Sequence, residues 1–388
     1  MVLVLSQQDI ADILSRYDHL KIRVGAIASH SALDIFDGAI EEGFPTVAYA
    51  QRGRELTYDR YFASHRAPTG RVSRGIVDRT IILDRFKEIM NEEFQHRMRE
   101  RNVILIPNRS LTSYVDLAAI ESNLRVPLFG SRSMLRIEDR GEEGDYYDLL
   151  AKGGLPTPER VDPKDIDQLC IIKLHHAQKP LERGFFTASS FEEYQRKSEQ
   201  LMTDGIILEE DLQGARVEKY IIGPVFNLDF FHSTLATGDE PRLELLGIDW
   251  RFESGLDGHV RLPAQQQLDL NASQSLPEMT VTGHSIATLR ESLLERAFDL
   301  GERFIDVAAR IHPPGIIGPF CLQTCIDEDL NFYIYDVAPR VGGGTNAHMS
   351  WGHPYGNVLW RKPMSTGRRV AMELRRAVEL DRLDEVLS

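Results

Sequence analysis

One stretch near the carboxyl end, residues 318–346, constrains the fold more than any other part of the chain. Its sequence is GPFCLQTCIDEDLNFYIYDVAPRVGGGTN, in which two alternating runs, Phe320–Cys325 and Phe332–Val337, flank an acidic turn. Alternation of apolar and polar residues on both sides of a short polar loop predicts a β-hairpin.

The register of this hairpin follows from the position of its loop. A loop at Glu328–Asn331 pairs Asp327 with Phe332 and, further along the ladder, Gln323 with Asp336. Directly opposed residues of an antiparallel pair share one face of the sheet, with Cβ atoms about 5 Å apart. The register therefore predicts an amide oxygen and a carboxylate side by side.

The residues after the second strand extend this polar group. Arg340 is followed by the glycine turn Gly342–Asn346, so oxygen ligands, a fixed cation and a backbone open to close approach come together. A magnesium–triphosphate needs this combination. A surface hairpin followed by an ordinary glycine turn is the alternative interpretation of the same residues.

The composition is that of a soluble globular protein with room for two or three domains. The chain has 388 residues, of which 42% are hydrophobic and 27% are charged. No apolar run reaches the roughly 20 residues of a membrane span, and the amino terminus lacks the basic region and cleavage site of a signal peptide. A net charge of −14 argues against a nucleic-acid partner. Cys170, Cys321 and Cys325 are too few for a disulfide framework, so we expect a reducing cytoplasm.

The first part of the chain, residues 1–125, alternates strand and helix patterns. Strands are predicted at Val24–Ala28, Thr46–Ala50, Thr80–Leu83 and Val103–Pro107, and helices at Gln7–Tyr17, Ala32–Glu42 and Arg85–Arg101. Such alternation with short connections predicts a parallel sheet covered on both faces. Residues 53–78 carry Arg, Gly and Pro without a clear period, and we interpret them as either a lid or a partly disordered insertion.

The pattern changes after residue 125, and we predict two further units, a lid at 126–222 and a larger α+β unit at 223–388. Strands are predicted in the lid at Gln168–Leu174, Ile206–Leu208 and Ala215–Ile222. The last unit combines antiparallel strands and the hairpin with helices at Ser285–His312 and Arg368–Leu387. The expected fold class is therefore α/β followed by α+β.

With Gln323, Asp336 and Arg340 in place, the chain resembles the ATP-grasp ligases. That resemblance implies a Rossmann-like pre-ATP-grasp domain, a lid, and a larger domain that carries the metal hairpin. The metal strand of the superfamily usually reads Glu-x-Asn-x-Arg, and the same positions here read Asp336-Val337-Ala338-Pro339-Arg340. The resemblance implies ATP with Mg²⁺ or Mn²⁺, metal ligation by Gln323 and Asp336, and a catalytic Arg340, although Ala338 replaces one ligand.

Several segments narrow the resemblance to the archaeal PurP family. They are Ser29–Ser31, Phe252–Gly258, Val260–Pro263, Arg290–Leu294 and Pro313–Gln323. Enzymes of this family join formate to the amine of the purine intermediate AICAR, giving the formylated product FAICAR while ATP becomes ADP and phosphate. The resemblance implies the same carboxylate–amine ligation here, with an AICAR-like ribotide and formate as substrates, and a homo-oligomer such as a hexamer.

Three residues are implied on the substrate side, namely His30, Ser110 and His284. His30 and Ser110 each follow a predicted strand at the edge of the parallel sheet where ligands bind. A structural His, with Ser29 or Ser31 capping the next helix, and a capping role for Ser110 are the alternatives.

His284 departs from the resemblance, because the PurP family ordinarily has Asn at this position. A neutral His offers one donor and one acceptor on a rigid ring and can gain charge. A changed substrate preference and a tolerated exchange are both consistent with the residue.

Five residues are implied on the nucleotide side, namely Lys173 at the phosphates, Glu218 and Tyr220 in the adenine-binding linker, Glu253 and Asn346. A solvated Lys173 and a plain β-strand at 216–221 are the alternatives for the first three. A salt bridge with Arg251 or Arg261 would explain Glu253 equally well. Asn346 would also suit a left-handed turn.

The lid loop, residues 175–184, is poor in the glycines that let backbone N–H groups approach phosphates. Pro180 lacks a donor and Glu182 adds a repelling charge, so either Lys179 and Arg183 compensate or ATP binding is weakened or lost.

The departures from the family pattern leave two rival functions open. One is a paralogue that ligates another acid or amine, for example in C1-cofactor synthesis. The other is a catalytically silent ribotide-binding or scaffold protein.

Overall fold

The computed structural model describes residues 5–139, 144–174, 185–270 and 280–388. Within them the helices are α1 (Gln7–Leu14), α2 (Ala32–Glu41), α3 (Glu92–Glu100), α4 (Arg109–Tyr114), α5 (Leu117–Asn123), α6 (Tyr146–Lys152), α7 (Phe191–Thr203), α8 (Glu209–Gln213), α9 (Ser254–Val260), α10 (Ala264–Leu268), α11 (Glu291–Ile311), α12 (Pro354–Trp360) and α13 (Thr366–Glu379). The strands are β1 (Arg23–Ile27), β2 (Thr46–Gln51), β3 (His65–Arg66), β4 (Val72–Arg74), β5 (Arg79–Leu83), β6 (Val103–Leu105), β7 (Cys170–Lys173), β8 (Phe185–Ala188), β9 (Arg216–Lys219), β10 (Val225–His232), β11 (Leu243–Glu253), β12 (Val281–Ile286), β13 (Gly318–Ile326) and β14 (Phe332–Ala338).

A four-stranded parallel sheet, in the order β5-β2-β1-β6, forms the centre of the amino-terminal part and confirms the predicted α/β arrangement. The central strands are buried on both faces, as parallel sheets covered by helices require. Because parallel strands end at the same edge, the loops after β1, β2 and β6 open together there. The first of these loops carries His30, and the last leads into α4 with Ser110.

The segment 53–78 is an ordered excursion from this sheet, so its interpretation as a partly disordered insertion is wrong. It contains a π-helical turn at Thr57–Tyr61 and the small hairpin of β3 and β4. Asp78 anchors it: its carboxylate accepts hydrogen bonds from Ser64 Oγ at 2.6 Å and from the backbone N–H of Thr46 at 3.0 Å. These bonds tie the excursion to β2.

The lid contains a three-stranded antiparallel sheet in the order β8-β7-β9. The predicted strand Ile206–Leu208 is wrong, since Ile207 packs into the lid core and Leu208 is the N-cap residue of α8. The carboxylate of Asp211 accepts from the backbone N–H of Leu208 at 2.7 Å, which satisfies a free donor at the start of α8.

A five-stranded antiparallel sheet, in the order β12-β11-β10-β13-β14, forms the carboxyl-terminal body. Helix α11 covers one face of this sheet, where Phe320 stacks on Phe230 and Phe304 with ring centroids 5.2 and 5.5 Å apart. The predicted helix Ser285–His312 begins later, at Glu291, because residues 281–286 pair with β11 as β12. The opposite face of the sheet is left for the polar residues of the site.

Two other helices differ from the prediction. Residues 85–101 divide into a 3-10 helix, Phe86–Met90, and α3, because Asn91 adopts an extended conformation with φ −66° and ψ 133°. The carboxyl-terminal helix α13 ends at Glu379 and packs against α2, so the last and first parts of the chain share a core. The four-stranded sheet lies within residues 1–125, the three-stranded sheet within 126–222 and the five-stranded sheet within 223–388. The domain boundaries at 125/126 and 222/223 stay a prediction.

Within the described residues, no helix combines the length and the apolar composition that crossing a membrane requires.

Candidate active site

A row of polar side chains crosses one face of the five-stranded sheet. The register pairs Asp249 with Asn227, Asn227 with Gln323, and Gln323 with Asp336. Because directly paired residues point to the same side, these four side chains form a line across β11, β10, β13 and β14. The sheet therefore has an aromatic face under α11 and a polar face that can bind a ligand.

The hairpin confirms the predicted pairing of Gln323 with Asp336, although the register near the loop is wrong. Phe332 pairs with Ile326 instead of Asp327. The ladder then shifts between Gln323 and Thr324, where Tyr335 is the extra residue of a β-bulge. The one-residue error at the loop is thus cancelled by the bulge, and the two side chains meet as expected.

Gln323 and Asp336 offer the oxygen atoms that a magnesium ion prefers. Gln323 Nε2 donates to Asp336 Oδ2 at 3.0 Å, and Arg251 Nη1 donates to Gln323 Oε1 at 3.4 Å. Among the described residues, no group of three or more His, Cys, Asp and Glu side chains could hold a metal ion by itself. The amide nitrogen of Gln323 thus faces Asp336 while the amide oxygen faces Arg251, so the predicted oxygen pair forms only when the amide group turns over. The metal role of the two residues stays a prediction.

Lys173 and Glu218, predicted separately on the nucleotide side, form one buried ion pair. Lys173 Nζ lies 2.7 Å from Glu218 Oε2, and Arg216 Nε donates to Glu218 Oε1 at 2.5 Å. The carboxylate of Glu218 is fully buried. Lys173 and Arg216 are directly paired on β7 and β9, so Glu218 neutralises two neighbouring cations and fixes their positions on the lid sheet.

Tyr335, the bulged residue, connects this lid cluster to the hairpin. Its carbonyl oxygen accepts from Lys173 Nζ at 3.1 Å, and its hydroxyl accepts from Arg251 Nη2 at 2.6 Å. Tyr147 adds a second contact, since its hydroxyl accepts from Lys173 Nζ at 2.8 Å. The lid lysine and the candidate metal ligands therefore belong to one continuous polar surface.

Tyr220 and Glu253 are two further residues that the resemblance implies on the nucleotide side. Tyr220 follows β9, and its backbone N–H donates to Leu169 O at 2.9 Å. Burial, with the negative charges of Cys325 and Glu253 nearby, raises the pKa of the Tyr220 hydroxyl. Glu253 Oε1 lies 3.9 Å from Arg251 Nε, which supports the salt bridge with Arg251 as one role of this residue. Their cofactor-binding roles stay a prediction.

Arg340 is held rigidly by Glu138, a partner that the sequence did not reveal. Arg340 Nε lies 3.0 Å from Glu138 Oε1, and Nη2 donates to Oε2 at 3.2 Å. A second hydrogen bond runs from Nη1 to Val341 O at 3.1 Å. Thr112 Oγ1 donates to Glu138 Oε2 at 3.0 Å, so α4 helps to fix the carboxylate. A two-point Arg–carboxylate pair of this kind fixes the plane of the guanidinium group.

His30 lies in a tight loop after β1 that is shaped by Asn108. Asn108 Nδ2 donates to the carbonyl oxygens of Ser29 and His30 at 2.9 and 3.1 Å. His30 and Ser31 have φ angles of 28° and 56°, in the left-handed region. The predicted capping of α2 is wrong, because Ser31 Oγ donates to Gly342 O at 2.6 Å and makes no cap bond.

Positive charges converge on His30 from several elements. Surrounding protein atoms, and then the charges of Arg109, Arg340, His284 and Arg54, lower the pKa of His30 to about 4. The His30 side chain is exposed, and the nearby cations disfavour a further positive charge on its ring. The imidazole is neutral at physiological pH and lies in a cationic crevice suited to an anionic ligand.

Ser110 does not cap α4, so that alternative is wrong. Asn108 is the N-cap, and its Oδ1 accepts from the backbone N–H of Leu111 at 3.3 Å. Ser110 Oγ is buried and has no hydrogen-bond partner within the described part of the chain. A buried hydroxyl without a partner is uncommon and points to a ligand or water atom.

The glycine turn closes on two buried carboxylates. A Cβ atom at Gly342 would lie 2.4 Å from Asp229 Oδ1, and one at Gly344 would lie 2.2 Å from Asp249 Oδ1. Asn346 follows on a 3-10 turn and has no left-handed φ, so the proposed left-handed turn is wrong. Its Oδ1 accepts from the backbone N–H of Asp34 at 3.1 Å, while its cofactor role stays a prediction.

His284 contacts one of these carboxylates directly. Its Nδ1 lies 2.5 Å from Oδ1 of Asp249, and Asn227 Nδ2 donates to the same oxygen at 2.9 Å. Burial, and next the negative charge of Asp249, raise the pKa of Asp229 well above its usual range. The two carboxylates therefore hold a single negative charge more readily than two.

Sequence reasoning missed the residues that fix these side chains. They are Tyr147, Arg216, Asp249, Asp229, Tyr335, Glu138 and Asn108. The polar residues within β10 and β11 were the available signal for the two aspartates, since each aspartate is flanked by apolar residues in its strand. The bulge and the Glu138 pair left no local signal. The lid loop 175–184, with its predicted glycine deficit, lies outside the described residues.

Two family models match the chain. One is a domain of unknown function, DUF1297, at residues 193–388, and the other is a protein of unknown function, DUF1246, at residues 24–161.

Curated relatives match it over nearly the full length. A protein of Methanocaldococcus jannaschii is 38% identical over 387 residues, covering 99% of this chain and 100% of the relative. Another, of Methanothermobacter thermautotrophicus, is 38% identical over 385 residues and covers 99% of both. Each is described as a 5-formaminoimidazole-4-carboxamide ribofuranosyl 5'-monophosphate synthetase.

Solved structures are similar to this chain as well. The IMP biosynthesis protein PurP of Thermococcus kodakaraensis is 30% identical and has a TM-score of 0.68, covering 94% of this chain and all of that one. An ADP complex of N5-carboxyaminoimidazole ribonucleotide synthetase is 10% identical, with a TM-score of 0.56 over 89% of this chain and 78% of that one. The second likeness bears on fold alone, and together with the first it confirms the predicted ATP-grasp fold.

Proposed function

The chain belongs to the PurP family of 5-formaminoimidazole-4-carboxamide ribonucleotide synthetases, and from this premise we propose that it ligates formate to AICAR with hydrolysis of ATP to ADP and phosphate. The observation that carries the proposal is the continuous polar surface that joins Lys173, Tyr335, Arg251, Gln323 and Asp336. This surface combines cations and oxygen ligands between the lid and the body, where a nucleoside triphosphate would lie.

Lys173 and Arg216 supply positive charge to the phosphates in this proposal. Each already interacts with Glu218, so their positions are fixed before the nucleotide binds. Tyr220 and Glu253 would contact the adenosine. Phosphoryl transfer depends mainly on positioning and on neutralisation of charge, which such prearranged cations provide.

Magnesium would be held by Gln323 and Asp336 together with phosphate oxygens, and when bound it would neutralise phosphate charge. Ala338, at the position where the superfamily usually has Asn, supplies no ligand. A requirement for higher magnesium concentrations follows from this smaller set of protein oxygens.

The ribotide would occupy the crevice at the edge of the parallel sheet. In this proposal His30, Ser110 and His284 contact the ribotide, and Arg109 and Arg340 add positive charge beside His30. Arg340, fixed by Glu138, would stabilise negative charge on the acyl phosphate formed from formate and ATP. The amine of AICAR then attacks the formyl carbon, and phosphate leaves.

The first experiment measures phosphate release with ATP, formate and AICAR, each omitted in turn. We expect release only when all three are present. Asp336→Asn should lower the rate about 10- to 100-fold and raise the magnesium requirement. Asp327→Asn is the matched control, since Asp327 lies in the same hairpin and bonds to Asn331 and Tyr333.

Three results would contradict the proposal. Turnover with a different amine but not with AICAR would indicate a paralogue. Thermal stabilisation by AICAR without turnover would indicate a ribotide-binding protein. Equal effects of Asp336→Asn and Asp327→Asn on phosphate release would show that Asp336 has no special role in the site.

A further inference from the structure

A buried carboxylate and an imidazole form a close pair on β11 and β12. His284 Nδ1 lies 2.5 Å from Oδ1 of Asp249, whose side chain is fully buried while that of His284 is 19% exposed. An ionised carboxylate can only accept, so Nδ1 carries the proton. Nε2 of the neutral ring is then an acceptor.

Asp249 is fixed by its neighbours. Asn227 Nδ2 donates to the same Oδ1 at 2.9 Å, and the backbone of Gly344 lies so close that a Cβ atom there would be 2.2 Å from the carboxylate. Burial, and next the negative charge of Asp249, raise the pKa of Asp229 well above its usual range, so Asp229 readily holds a proton beside Asp249.

The ring of His284 lies beside the ribotide crevice. Electrostatic interaction couples His284 both to His30, in the loop after β1, and to His348, on the turn after Gly344. The titratable and charged groups around it are Asp249 and Arg251 on the neighbouring strand, His348 on the turn, and His30, Arg109 and Arg340 at the crevice. The imidazole of His284 therefore lies between a buried carboxylate and several cations.

The geometry points to a catalytic pair in which His284 Nε2 accepts the proton of the substrate amine during formyl transfer, with Asp249 as the positioning residue. This rests on the proposed function. The nitrogen lone pair forms the new C–N bond to the formyl carbon, the bond from that carbon to the phosphate oxygen breaks, and phosphate leaves with the electron pair. The proton from nitrogen goes to Nε2, and Asp249 stabilises the imidazolium ion.

A base speeds this step because the amine of an aminoimidazole carboxamide is a weak nucleophile whose proton leaves as the new bond forms. With Asn at this position, as is ordinary in the family, the protein has no base there, so the base is a feature of this chain. A positioned base typically contributes about 10²- to 10⁴-fold to the rate. An amide at position 284 could still donate to Asp249, but it could not take up the proton.

The test compares wild type with His284→Asn and Asp249→Asn. We expect His284→Asn to lower kcat for AICAR by roughly 100-fold and to abolish the acid limb of the pH profile. Asp249→Asn should lower kcat and shift that limb to lower pH, because the imidazolium ion loses its counter-charge. His232→Asn is the matched control, since His232 is another partly buried His, bonded to Ile316 O at 2.6 Å on the same sheet.

Hydroxylamine in place of AICAR separates the two half-reactions, because it traps an acyl phosphate without needing a protein base. His284→Asn should form formyl hydroxamate from ATP and formate at the wild-type rate, and AICAR should still raise its melting temperature. A wild-type kcat and pH profile in His284→Asn would overturn the pair, and so would equal losses with AICAR and hydroxylamine. Wild-type protein that is inactive with both acceptors would instead overturn the proposed function.

Discussion

Single residues of the site are held by partners that come from distant parts of the chain. Lys173 is fixed by Glu218 and Tyr335, and Arg340 by Glu138. Each of these charges is buried, so it requires a partner and a defined geometry. Removal of one partner leaves an uncompensated charge, so we expect substitutions at these positions to lower both stability and activity.

His348 gives a prediction about pH at this scale. The residue is fully buried, and burial, followed by the charge of His353, lowers its pKa to about 4 from an ordinary value near 6.5. Between these values the unfolded chain binds a proton that the folded protein does not, so stability falls as the pH drops from about 6.5 toward 4. His348→Gln should reduce the loss of unfolding free energy between pH 7 and pH 5 by about 2 kcal/mol.

Urea unfolding at the two pH values measures this difference. Buried Asp34, whose pKa is raised to about 6, has the opposite dependence, but it is common to both proteins and cancels in the comparison. His96→Gln, at an exposed position on α3, is the control and should leave the difference unchanged. An equal pH dependence in wild type and His348→Gln would refute the assignment.

At the scale of elements, the hairpin and the glycine turn position the site together. The bulge at Tyr335 turns its carbonyl toward Lys173 while Asp336 stays beside Gln323. The turn needs glycine for close approach, because Gly342 and Gly344 face the Asp229 and Asp249 carboxylates without room for a Cβ atom. None of the three glycines has a left-handed φ, so the cause is contact and not backbone conformation.

Gly344→Ala tests this explanation against its neighbour Gly343→Ala. A methyl group at 344 would lie 2.2 Å from Asp249 Oδ1, whereas nothing lies within 4 Å of one at 343. We expect Gly344→Ala to lower the free energy of unfolding by about 1–3 kcal/mol and to reduce kcat through displacement of Asp249. Gly343→Ala should leave both values nearly unchanged, as measured by urea unfolding and phosphate release. Similar values for the two variants would show that the turn is not packed on the aspartates.

At the scale of the whole molecule, the amino-terminal sheet and the carboxyl-terminal body are joined through α2 and α13. A Cβ atom at Gly38 would lie 2.1 Å from the backbone nitrogen of Arg368, so the two helices touch along their backbones. Ser31 Oγ and Asn346 Oδ1 add hydrogen bonds across the same junction. This junction sets the position of His30 relative to His284 and Arg340.

Gly38→Ala should therefore separate the helices and lower the free energy of unfolding by roughly 3 kcal/mol. It should also raise the KM for AICAR, because the two sides of the crevice move apart. Gly258→Ala is the control: Gly258 is exposed in α9 with nothing within 4 Å, and Ala there should be neutral or slightly stabilising. Thermal unfolding and steady-state kinetics measure both, and an unchanged Gly38→Ala protein would contradict the role of the junction.

The sequence by itself determined the features that depend on local periodicity. Strand and helix alternation gave the parallel sheet, and the alternation around 318–346 gave the hairpin and the pairing of Gln323 with Asp336. These follow from side-chain direction, which repeats every two residues in a strand. The resemblance of whole segments led to the family, which the full-length relatives confirm.

Only the tertiary structure determined which charged and polar side chains are partners in the site. The bulge at Tyr335, the Arg340–Glu138 pair and the contact of His284 with Asp249 join residues up to 202 positions apart. No periodic pattern records such contacts, because they arise when separate elements pack and buried charges must find partners. The chemistry of the site therefore depends on the packing of the three sheets, while its ingredients are already visible along the chain.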